Sequence, residues 1–166
     1  MNDKTDRKAE EFLAILDVRI QDLMLVSRLP KDNPDSINFD DYQKFRDMMG
    51  ECLSFLIIIE RRIDLLEDER RDRLREQFDG LTVVVWSILL DGSLSFLTVI
   101  CEKDFLPLGT RHVFVQELRT LHDAEVVLKD EKYSGHLKNT AIEQRDKAER
   151  ILNAIIDRAP QLLNLG

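Results

Sequence analysis

The sequence predicts an all-α protein: a single-domain helical bundle of five to six helices with a long, heptad-patterned second helix. Three observations lead there. Apolar residues recur at spacings of three and four along most of the chain. Only four prolines and six glycines punctuate 166 residues, so long elements can run uninterrupted. A content of 43% apolar and 34% charged residues supplies a core while leaving solvated faces, which separates the chain from disordered sequences. A chain of this length buries roughly 70% of its unfolded surface, so residues 1–166 are read as one domain, with 1–5 a candidate flexible tail.

The first helix is expected from Thr5, a candidate N-cap, to Arg28. Ala9, Phe12, Leu13, Leu16, Ile20, Leu23 and Met24 fall on one face. It should stop at "LPKDNPDSIN", because Pro30 and Pro34 each disfavour α geometry in the preceding residue. Asn38 or Ser36 then caps the second helix. Tyr42, Phe45, Met49, Cys52, Leu56, Ile59, Ile63 and Leu66 follow at spacings 3,4,3,4,3,4,3, an unbroken heptad seam. In its middle "CLSFLIIIE" widens the stripe beyond what one partner helix covers, as in the central member of a bundle. Gly50 inside this helix costs about 1 kcal/mol relative to alanine, and close approach of a neighbouring helix would explain it.

"LTVVVWSILLDGSLSFLTVI", residues 81–100, admits three readings. Asp91-Gly92 between apolar runs is a hairpin signal, but "VVVWSILL" lacks the alternation of a strand. Twenty residues suffice to span a bilayer, yet Asp91 would lie at the centre, at about 2.5–3.5 kcal/mol, and no membrane span is expected. The preferred reading is helix–turn–helix. Leu74, Phe78, Leu81, Val85 and Ile88 form one stripe, Gly92 takes the left-handed C′ position, and Ser93 caps a short helix bearing Leu94, Leu97 and Cys101. Whether residues 60–80 form one helix with the second is left open. Thr110 starts a helix to about Leu128 carrying Phe114, Leu118, Leu121 and Leu128; "KDEKYSG" is a turn. A last helix from Leu137 to Arg158 presents Ala141, Ala148, Leu152, Ile155 and Ala159.

A net charge of −8 without a basic stripe argues against nucleic acid as a partner. The densest cationic window, "ERRIDLLEDERRDRLRE", holds six arginines against seven acids and reads as a self-paired helical face, with Glu67/Arg71 and Glu69/Arg73 at i,i+4. Two isolated cysteines, Cys52 and Cys101, make no metal framework and read as buried thiols. "MNDKTDRKAEEF" lacks a signal-peptide core, so a cytoplasmic location is the default expectation.

Phosphate-cradling loops and a G-x-S-x-G elbow are missing from the sequence. Dimetal bundles use Glu-x-x-His pairs. The nearest counterpart is "HDAE", where His122 and Glu125 could supply two metal ligands, and no cofactor is expected. Three functional classes follow. The first is a non-enzymatic interaction or scaffold bundle that homodimerises or docks a partner helix, with Tyr42, Phe45, Met49, Leu56, Ile59 and Ile63 as anchors if the seam faces outward. The second is a bundle binding a small apolar ligand or cofactor around Trp86, Phe96 and Cys101. The third is a metal-dependent enzyme using His122 and Glu125. The first is preferred, because the apolar faces are extensive and convergent polar groups are few.

Overall fold

A computed structural model describes residues 3–67, 69–102, 110–139, 142–143, 145–147 and 150, with residues 3–6, 97–98, 100–102 and 110–118 as backbone only. Four long helices form: α1 (Asp3–Asp32), α2 (Phe39–Asp64), α3 (Glu69–Glu102) and α4 (Thr110–Leu128). Short 3-10 segments occupy Pro34–Ser36 and Glu131–His136, and there is no strand among the described residues. The bundle is built around α3, which packs against α1, α2, α4 and the second 3-10 segment, while α1 and α2 also pack on each other. Of the expected last helix, the described residues between 139 and 150 are helical, opened by Ile142 N–H donating to the Lys138 carbonyl. The rest of its apolar face lies outside the described residues.

α1 runs one turn further than the sequence suggests, through Pro30. A proline so near a C-terminus forfeits a single helical hydrogen bond, and Asn33 N–H closes the turn on the Leu29 carbonyl at 2.9 Å. The added turn delivers Lys31 to Asp91 of α3, where its ammonium meets both carboxylate oxygens at 2.8 and 2.6 Å. α2 begins at a reciprocal capping box: Asn38 Oδ1 accepts from Asp41 N–H, and Asp41 Oδ2 accepts from Asn38 N–H, both at 3.0 Å. It ends at Asp64, with Leu65 as its C-cap, so residues 60–80 are not one continuous helix.

The largest departure is at Asp91-Gly92. Neither a hairpin nor a helix–turn–helix forms there; α3 passes through as one helix of 34 residues. The two residues face different neighbours. Asp91 turns to Lys31 on α1, whereas Gly92 lies under the Phe45 ring of α2, so close that a Cβ would fall 2.4 Å from Phe45 Cζ. Glycine therefore acts as a socket here, not as a left-handed terminus. Phe45 stacks on Phe96 at 5.2 Å between ring centroids, and Tyr42 meets Phe96 edge-on at 5.9 Å.

Polar residues inside α3 satisfy their hydroxyls within the helix by bonding back one turn. Thr82, Ser87 and Ser95 hydroxyls donate to the carbonyls of Phe78, Val83 and Asp91 at 2.7–2.8 Å. Ser93, expected as an N-cap, is instead fully buried, and its hydroxyl finds no partner among the described residues. Ser93→Ala removes that unsatisfied group, so thermal melting is expected to show a stability gain of about 1 kcal/mol. A lower Tm for the variant would mean the hydroxyl is satisfied in solution.

α3 is long and apolar enough to cross a bilayer, with mean hydropathy 1.3 over its most apolar stretch, half of which is buried inside the bundle. The same composition is what a core helix flanked by three others requires.

Candidate functional site

The heptad seam of α2 faces inward. Tyr42, Phe45, Met49, Leu56, Ile59 and Ile63 are each at most 6% exposed and join one core with Leu13, Leu16 and Leu23 of α1 and Leu74, Val85 and Leu89 of α3. As surface anchors for a partner these six residues are thus corrected: the neighbours that the width of the stripe calls for are α1 and α3 of the same chain.

A different apolar surface remains outside. Six of the seven large hydrophobic side chains exposed among the described residues lie on α1 and α2 or at the end of α2: Ile15, Val18 and Leu25 on the first, Ile57 and Ile58 on the second, and Leu65 as its C-cap. Ile15, Val18 and Leu25 sit on the side of α1 turned away from Leu13, Leu16 and Ile20. Two contacts join the two helices beside them, Phe12 against Phe55 at 6.1 Å and the Arg19–Glu51 ion pair at 3.4 Å. This stripe was legible but missed. Glu11, Ile15, Val18, Asp22, Leu25 and Leu29 recur at 4,3,4,3,4, and the two acids within it disguise the pattern.

The arginine-rich window ties helices together. Arg73 pairs with Glu10 of α1 at 2.8 Å, Arg75 with Glu60 of α2 at 3.3 Å and with Asp64, and Arg71 with Asp64 at 3.9 Å. These cross-helix pairs replace the expected i,i+4 partners of Arg71 and Arg73. The pairs are largely solvated and contribute little each, but they set the register of α3 against its neighbours. Beside them Tyr133 is buried and seats the 131–136 segment on α3, and Asp79 has its carboxyl raised above the usual range by burial, against the opposing pull of Arg75, Lys132 and His136.

His122 Nδ1 lies 4.0 Å from Glu125 Oε2, so the predicted pair is adjacent, but Glu125 is also held by Lys129 at 2.6 Å. Among the described residues no group of three His, Cys, Asp or Glu side chains gathers around a common point. Trp86 is half-buried, and Phe96 is packed against Phe45 and Tyr42; the side chain of Cys101 lies outside the described residues. Neither Trp86 nor Phe96 lines a groove that is present. That groove, of about 620 Å³, lies between α1 and α3 and is lined by Met24, Arg28, Val84, Ile88 and Lys138 among others. Its key residues come from positions far apart in sequence, and no local pattern announces them.

Cys52 is buried, and burial together with the neighbouring Glu51 carboxylate raises its thiol from 9.0 to about 11. The folded chain then holds a proton that the unfolded chain releases. Its contribution to stability is full below pH 9 and declines as pH rises toward 11. In a Cys101→Ser background, thiol-reactive probes at pH 8 are expected to leave Cys52 unlabelled until denaturant is added; rapid labelling of folded protein would contradict its burial.

Comparison with protein-family models, with curated proteins and with solved structures finds no match for this chain. The fold and surface define a helical bundle with a closed core and an uncovered apolar face.

Proposed function

We propose that this protein is a non-enzymatic interaction bundle that pairs with a second copy of itself through the outer face of α1 and α2. One observation carries the reading: Ile15, Val18, Leu25, Ile58 and Leu65 stay 43–71% exposed on that hairpin although the core is closed beneath them. Their summed exposure is on the order of several hundred Å², the size of the largest patch on a typical monomer, which is often functional, and a large part of the ~800 Å² that one partner contributes to a standard interface. The Arg19–Glu51 pair crossing the two helices there is neutral as a unit and adds no net charge to the contact, whereas Glu11 and Asp22 in the same stripe must stay at its solvated rim. A two-fold dimer is the simplest closed assembly for a self-complementary patch. Gly50 has nothing within 4 Å of a built Cβ among the described residues, so the close helix neighbour expected from the sequence is not found there.

The test is mass in solution across a concentration series. Wild type is expected to dimerise, with a Tm that rises with concentration, and Val18→Lys with Ile58→Lys to remain monomeric with an unchanged helical spectrum and a Tm independent of concentration. A wild type that stays monomeric at all concentrations, or a double variant that still dimerises, overturns the assignment.

A further inference from the structure

The groove between α1 and α3 does not stand alone. A second hollow of about 220 Å³ adjoins it, and both are walled by Lys31 and Asp91, whose ion pair forms the partition. Charge is unevenly shared along this combined surface. Arg28, Lys31 and Lys138 line the larger part and Lys147 the smaller, against only Asp32 and Asp91. Lys31 and Asp91 neutralise each other, which leaves Arg28, Lys138 and Lys147 without an acid partner among the described residues and Asp32 as the one opposing charge. In a chain of net charge −8, a local cationic excess next to a concave surface is the feature that needs explaining.

Beneath the cations the floor is hydrocarbon: Met24 from α1 and Val83, Val84 and Ile88 from α3. A volume of about 620 Å³ lies within the ~300–1,000 Å³ usual for small-molecule sites. From this juxtaposition we infer that the groove binds a small amphipathic anion, a single acyl chain with one carboxylate, its chain on Met24, Val84 and Ile88 and its head at Arg28 and Lys138. A guanidinium and an ammonium at the rim bind an anionic head more strongly than a neutral hydroxyl, while the floor favours chain over water. Lys31, one turn beyond Arg28 on α1, is held by Asp91 and closes the groove behind the head, on the side away from Met24. This site is separate from the outer face of α1 and α2, so it stands or falls independently of the dimer.

Calorimetric titration of the full chain tests it, with decanoate and decyltrimethylammonium, two ligands with the same chain and opposite heads, both below their micelle concentrations. Decanoate is expected to saturate at one per chain, with the cationic amphiphile at least about tenfold weaker. Arg28→Glu with Lys138→Glu, both on exposed side chains, is expected to weaken decanoate about tenfold or more and to narrow the preference between heads. Ile88→Trp, which fills the groove, is expected to remove binding. Should that variant fold poorly, the comparison of heads on wild type still decides the matter. Absence of saturable decanoate binding, or equal affinity for the two heads, overturns the inference.

Discussion

Alanine at position 92 is expected to lower stability by about 2 kcal/mol, a fall in Tm of roughly 4–8 °C. The reason is steric. A Cβ there would sit 2.4 and 2.6 Å from Phe45 Cζ and Cε2, and Phe45 is fully buried and stacked on Phe96, so its ring has nowhere to retreat. Alanine's better helix propensity, about 1 kcal/mol, offsets only part of this. Position 50 supplies the control, because the same substitution there meets nothing within 4 Å and is expected to raise stability by up to about 1 kcal/mol. A cycle of Gly92→Ala with Phe45→Leu should show a coupling of about 0.5–3 kcal/mol, since the smaller side chain makes room for the added methyl. Equal, stabilising effects at both glycines would show that the Phe45 ring is not seated as described.

The second large effect distinguishes the inner seam from the outer face. Ile59→Lys places a charge where the native side chain is fully buried within the apolar core. An uncompensated buried charge costs about 3–5 kcal/mol, a large share of the 5–15 kcal/mol by which domains are stable. Loss of helical signal at room temperature, or a collapse in Tm, is the expected outcome. Val18→Lys, on a residue 59% exposed, should stay within about 0.5 kcal/mol of wild type. If Ile59→Lys instead stayed fully folded and only changed the mass in solution, the α2 seam would be an intersubunit surface after all.

Helical periodicity was enough to read the architecture, because the burial of Tyr42 through Ile63 follows directly from their spacing. What the spacing withheld is whose side chains cover the seam, since a neighbour in the same chain and one in another chain impose the same pattern. Asp91-Gly92 misled for a related reason. Turn propensity is a local property, and here it is overridden by two non-local contacts, one to Lys31 and one to Phe45. Pro30 likewise reads as a stop in sequence, although the last turn of a helix tolerates it. The outer stripe of α1 and the α1–α3 groove were hardest to see. Acids interrupt the first, and the second joins residues some sixty positions apart, as Lys31 and Asp91 are.

The placement of α4 has a kinetic corollary. Helices α1, α2 and α3 each pack on the other two, whereas α4 leans chiefly on α3, with the Arg46–Thr120 hydrogen bond of 2.8 Å reaching across to α2. Amide protons near Leu121 and Leu128 should therefore exchange with deuterium ahead of those near Ile59 or Val85, through an opening that strips α4 from an intact three-helix remainder.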